Sequence, residues 1–97
     1  MKPNIKSFKT NLTDTLELPE DIILGASIVT LTGNFKAHIE NIQGIIEYTD
    51  TKIKILTKEN RMEIRGTRLF VDAYCQEEML IKGNIEEVRF TLRSQTE

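Results

Sequence analysis

Val29-Thr30-Leu31-Thr32-Gly33-Asn34-Phe35-Lys36-Ala37-His38-Ile39-Glu40 is the stretch that decides the fold. Val29, Leu31, Phe35, Ala37 and Ile39 share one phase of a two-residue period. Thr30, Thr32, Lys36, His38 and Glu40 occupy the other. Successive side chains of a strand point to opposite faces. The alternation therefore reads as strand with one face on a core and the other in water. Gly33-Asn34 interrupts the pattern and marks a turn or a sharp bend.

Downstream the period continues. Ile39 through Thr49 reads as strand, turn, strand, with the break at Asn41 to Gly44. Further strands are predicted over 44–49, 52–57, 61–65, 68–72, 78–82 and 85–92. Short strands with such brief connections predict an all-β fold, mainly antiparallel: a roll, barrel or sandwich. Leu31-Thr32-Gly33-Asn34, Ile64-Arg65-Gly66-Thr67 and Ile81-Lys82-Gly83-Asn84 repeat one form, aliphatic-polar-Gly-polar. The repeat keeps a short β-solenoid open as the alternative. A two-residue turn at Gly66-Thr67 sets Ile64 opposite Leu69 and Met62 opposite Val71, so a hairpin is expected there. The same turn at the other two sites sets Ile81 opposite Glu86 and Leu31 opposite Lys36. A bend or longer loop is expected at those.

Upstream the period changes. Ile5, Phe8, Leu12 and Leu16 form a helical stripe, with Lys2, Lys6 and Lys9 off it, and predict a short amphipathic helix over 5–16. Pro19 disfavours helix at Leu18. Ile22-Ile23-Leu24 then closes a connector at Gly25. The chain divides into an N-terminal helical arm and connector (1–25), a β domain (26–92) and a tail (93–97). The arm packs on the domain, frays in solution, or lays its lysines on an anionic membrane surface, a peripheral contact.

Composition narrows the classes. With 97 residues the chain is one domain. Its net charge of −2 argues against nonspecific nucleic-acid binding. Cys75 is the only cysteine, which excludes an internal disulfide or a cysteine-rich zinc site. No apolar run is long enough to span a bilayer, and no secretory signal stands at the start. A cytoplasmic protein is expected.

Candidate chemistry is thin. His38 and Glu40 lie two apart on one strand face, a pairing that suits a metal or a base and its orienting carboxylate, but two ligands do not make a site. Cys75 needs a base to become a nucleophile. Nothing in the sequence places the single histidine beside it, and a partly buried, inert thiol is expected. Phosphate loops and nucleophile elbows are absent. No enzyme activity, catalytic residue, metal or cofactor is expected. The 52–68 stretch is distinctive because Lys52, Lys54, Lys58, Arg61, Arg65 and Arg68 stand against Glu59 and Glu63. If its strands pair, Lys52, Lys54, Arg61, Arg65 and Arg68 offer a positive face to an acidic partner or a headgroup layer. The competing account is an ordinary charged outer face that deters edge aggregation.

A family resemblance rests on an ordered set of motifs. These are Leu16-Glu17-Leu18-Pro19-Glu20-Asp21; Ile39-Glu40-Asn41 with Gly44 and Tyr48; Ile64-Arg65-Gly66 with Leu69 and Val71; and Glu77-Glu78-Met79-Leu80-Ile81-Lys82-Gly83-Asn84-Ile85. Over about residues 16–91 the chain resembles the YqfC-type branch of the YabP/YqfC family of sporulation proteins. The resemblance implies a small β-rich protein of endospore-forming bacteria, made in the mother cell during early engulfment. It also implies association with a sporulation membrane protein of the YqfD type, and carries no catalytic residue. Ile42-Gln43 stands where the family pattern has a basic or histidine pair, a departure that weakens the idea that charge at that turn is essential to function. Asn60 stands where glycine is common, and asparagine tolerates the same left-handed conformation. The expected role is a non-enzymatic adaptor at the forespore-enclosing membrane, working with an integral membrane partner. The alternative is a homo-oligomeric structural protein assembled through sheet edges.

Overall fold

The alternation that begins at Val29 builds β1 (Ile28–Thr32) and β2 (Lys36–Glu40), joined by a turn at 33–35. In their register Val29 faces Ile39 and Leu31 faces Ala37. This is the longer loop expected at Gly33. Four further strands follow: β3 (Ile42–Tyr48), β4 (Lys52–Thr57), β5 (Asn60–Cys75) and β6 (Glu78–Leu92). The computed structural model describes residues 25–92. The helix expected over 5–16 and the 93–97 tail lie outside the described residues.

All strands belong to one antiparallel sheet of order β1-β2-β6-β5-β4-β3. That order overturns the solenoid alternative, since a solenoid stacks successive strands in parallel. The hairpin expected at Gly66-Thr67 is also overturned. β5 runs straight through both residues, and Gly66 faces Ile85 while Ile64 faces Val88 and Met62 faces Phe90. The local hairpin and the long ladder both set apolar against apolar, so register alone did not separate them. The strands expected at 61–65 and 68–72 are one strand, as are those at 78–82 and 85–92. The true hairpin turn is at 76–77.

Two glycines bend this long pair. A Cβ on Gly66 would lie 1.9 Å from the carbonyl oxygen of Asn84. Gly83 has φ +134, and a Cβ there would lie 2.5 Å from the carbonyl oxygen of Arg68. Arg68 itself is left-handed, with φ 55, inside the bulge where the register shifts between Thr67 and Phe70. Bulges increase twist and turn a strand off its line. Below the bend, β5 pairs with β4; above it, β6 pairs with β2.

The bent sheet rolls around one core. Ala37 and Ile39 from β2, Ile53 and Ile55 from β4, Met62 and Ile64 from β5 and Met79 and Ile81 from β6 are buried in a single cluster. Opposite strands of the roll are tied by backbone: Leu69 N–H donates to Asp50 O (2.8 Å), and Ile42 N–H donates to Glu77 O (3.1 Å). Val71 N–H donates to the Tyr48 hydroxyl (2.9 Å) between them. Asn41, with φ 64, is the corner where the chain leaves β2 for the other end of the sheet. Its side-chain amide donates to Ala26 O at 2.7 Å. The break expected at Asn41 to Gly44 is thus this single residue.

Phe35, placed by phase with the buried row, sits in the turn and is 56% exposed. Among the described residues no large aromatic enters the core: Tyr48, Phe70, Tyr74 and Phe90 are also exposed. The core is aliphatic and methionine-rich, filled by side chains that fit a narrow roll.

Gly66→Ala is expected to destabilise by about 3 kcal/mol, because the carbonyl it strikes is backbone and cannot rotate away. Gly44→Ala, with nothing within 4 Å of its added Cβ, should stay within about 0.5 kcal/mol of the parent. Urea unfolding of both variants measures the difference.

Candidate functional site

β4 and β5 do pair, and the pairing sorts the 52–68 basic residues. Ile53 and Ile55 face the core, so Lys52 and Lys54 face out. Across the ladder Lys52 faces Arg65, Lys54 faces Glu63 and Leu56 faces Arg61. The rows extend onto the flanking strands. Glu47 of β3 faces Lys54, and Arg89 of β6 faces Glu63. One row across four strands therefore reads Glu47, Lys54, Glu63, Arg89, alternating in sign. The next reads Lys52, Arg65, Glu87.

Cation and carboxylate are not spread evenly. Glu47 reaches Lys52 at 3.6 Å and Lys54 at 4.0 Å. Glu63 accepts a hydrogen bond from Arg65 Nε, and Arg89 donates to Glu87 at 2.8 Å. The Arg65 hydrogen bond is the main cause that holds the Glu63 carboxyl below its ordinary value of 4.5. Burial opposes the shift, and the charges of Arg65, Lys52 and Lys54 assist it. The same bond raises Arg65. Lys52 and Arg65 are like charges directly opposite each other, a destabilising arrangement on a sheet unless anions flank it. They line a shallow depression with Thr51, Gly66, Glu86 and Glu87. Arg68 lies apart from these rows. It occupies the bulge beyond the last β4–β5 pair, exposed at the bend.

Glu47, Glu87 and Arg89 were not among the residues singled out from sequence. The phase of 85–92 does show Glu87 and Arg89 opposite Val88 and Phe90. What the sequence does not show is that β6 lies beside β5 in this register.

The second cluster is on the outer face of β2, β6 and β5. His38 Nε2 is 3.0 Å from Glu78 Oε1, and its Nδ1 is 3.9 Å from Glu40 Oε2. The Glu40 neighbour follows from strand phase, and the closer Glu78 comes from the β2–β6 pairing. His38, Glu78 and Cys75 line one shallow depression with Ala73, Tyr74 and Leu80. Cys75 is exposed, not partly buried as expected, because it ends β5 at the hairpin tip. Among the described residues no group of three or more His, Cys, Asp or Glu side chains is placed to hold a metal ion. Among them, too, no helix is long and apolar enough to cross a membrane.

Comparison with known proteins bears on the whole sheet. The model of the YabP family matches residues 24–97. The chain belongs to the YabP family. Every strand described above falls within the match. A relative in Bacillus subtilis (strain 168), "Uncharacterized protein YqfC", is 29% identical over 82 residues, covering 84% of this chain and 88% of that protein. The kinship expected from the motifs at 16–91 therefore holds. No solved structure matches the chain.

The Glu63–Arg65 bond makes this YabP-family sheet pH-dependent. A carboxyl lowered in the folded state contributes stability that is present above its unfolded pKa and is lost as pH falls through the folded value. Urea unfolding at neutral pH and on the acid side of 4.5 should show a smaller acid loss for Glu63→Gln than for the parent chain. An equal loss in both would assign the acid sensitivity to other carboxylates.

Proposed function

We propose that this chain is a non-enzymatic sporulation protein: a β-rich adaptor of the mother cell that works at the forespore-enclosing membrane with an integral membrane partner of the YqfD type. Family membership supports the sporulation role. The observation that carries the recognition step is the Lys52–Arg65 pair, two like charges side by side at the end of a face that also presents Lys54, Arg61 and Arg89. Charge complementarity across an interface steers encounter and fixes register more than it adds affinity. Glu47 and Glu63 already engage Lys52 and Arg65 within the face; a partner carboxylate seated between the two cations is shared by both, which gives an acidic cytoplasmic segment a preferred seat. Glu47, Glu63 and Glu87 make the pattern selective, since a polyanion without matching gaps meets them as repulsion. Arg68 extends positive charge to the bend beside this seat.

The alternative is a homo-oligomeric structural protein joined through sheet edges. It is favoured by one observation: among the described residues, β6 beyond residue 85 has β5 on one side and no strand on the other. Unpaired edges are templates for pairing.

Charge reversal of Lys52, Lys54, Arg65 and Arg68 is expected to reduce co-purification of the membrane partner from detergent-solubilised sporulating cells by at least ~10-fold, about 1.4 kcal/mol of binding. Unchanged capture would remove this face from the recognition step. Size-exclusion with light scattering separates the two readings: the adaptor runs as a monomer, whereas the edge assembly runs as a larger species at high concentration.

A further inference from the structure

The roll is closed on one side and unclosed on the other. On the closed side β3 lies along the upper half of β5, tied at both ends by backbone hydrogen bonds and midway by Tyr48. On the other side stand β1 and the lower half of β6. The 33–35 turn joins them at one end only: Ile85 N–H donates to Asn34 O at 2.7 Å, and Gly83 N–H donates to Phe35 O at 3.2 Å. Beyond that point, among the described residues, no strand pairing links β1 to β6.

Register shows which side chains line this seam. Leu31 faces core residue Ala37, and Phe90 faces core residue Met62, so both lie on the inner face of the sheet. Leu92 is two residues on from Phe90, in the same phase. Yet Leu31 is 49%, Phe90 52% and Leu92 51% exposed. Deeper in, Val29 and Val88 pack against the core and are only partly covered. These are core-facing apolar residues without a lid, unlike an isolated apolar side chain on an outer face.

The chain enters at the end of this seam. Gly25 lies beside Lys58, whose turn leads to Asn60, and Asn60 faces Leu92. Ala26 is held there by Asn41. Twenty-four residues precede this point, and they carry the stripe Ile5, Phe8, Leu12 and Leu16. A helix over 5–16 is about 18 Å long. The open edge of β6 over 86–92 is about 23 Å long. The connector over 17–24 spans up to about 27 Å, enough to return the helix along the seam from its open end. A tethered segment also acts at a high effective concentration, ahead of any free competitor.

We propose that the chain's own N-terminal segment occupies the seam, with Ile5, Phe8, Leu12 and Leu16 laid against Leu31, Phe90 and Leu92. The stripe supplies the missing apolar wall, and Lys2, Lys6 and Lys9 stay on the solvent side. The β6 edge is then screened from a second copy by a segment of the same molecule.

The test uses the full chain in a Cys75→Ser background with Leu12→Cys and Phe90→Cys. Under mild oxidation a disulfide within one molecule is expected, formed at least ten times faster than in a control that joins Leu12→Cys to the native Cys75. No cross-link, equal rates in the two pairs, or a cross-link only between molecules overturns the proposal; the last outcome gives the seam to a second copy. An independent readout exploits the absence of tryptophan. In full-length Phe90→Trp, adding Phe8→Glu and Leu12→Glu is expected to shift the emission to the red, with the far-UV strand signal retained. Unshifted emission overturns the proposal equally.

Discussion

The carbonyl of Asn84 occupies the space where residue 66 would carry a side chain, and most of the architecture follows from that approach. It lets β5 and β6 stay paired while both change direction. Without the bend, the β2 end and the β4 end of the ladder would lie in one flat sheet, with their apolar faces open to water. With it, Ile39 and Ile81 from one end share a core with Ile55 and Met62 from the other. Gly83 on β6 and the left-handed Arg68 on β5 complete the same turn. The roll is filled by isoleucine and methionine, and the aromatics are left at its rim.

The outer surface obeys a different constraint. Once strand order is settled, cross-strand neighbours are dictated, and charged residues far apart in sequence become a row. Glu47, Lys54, Glu63 and Arg89 alternate because each can then meet an opposite charge at ladder distance. Exposed pairs of this kind contribute little stability each. Their value lies in pattern. Beside the row, Lys52 and Arg65 stand opposite each other as like charges, each held by a carboxylate of the row, Glu47 and Glu63, which makes one position on the face distinct from the rest.

Much of this was legible in the sequence, and the boundary of legibility is physical. Strand phase is local, so Lys52 and Lys54 opposite Ile53 and Ile55 could be read directly, as could the family motifs. The turn after β1 followed from the mismatch of Leu31 with Lys36. Gly66 misled because a glycine that turns a chain and a glycine that yields to a passing carbonyl leave the same mark. The apolar residues around it pair equally well in both arrangements. Glu78 beside His38, and Glu87 and Arg89 beside the basic strands, depended on β6 inserting between β2 and β5. No local pattern encodes that insertion.

The position of β6 in the sheet also governs the order in which the molecule can be made. Among the described strands it is the last to leave the ribosome, yet it is the one that joins β1-β2 to β5-β4-β3. Until it emerges, the earlier strands can form only two separate pieces, a β1–β2 hairpin and a β3–β4–β5 meander, and small strand assemblies of that kind are marginal in water. Their apolar faces stay exposed until then. The core is therefore completed only once β6 is available, in a late, long-range step of the kind that makes sheet proteins slow to fold.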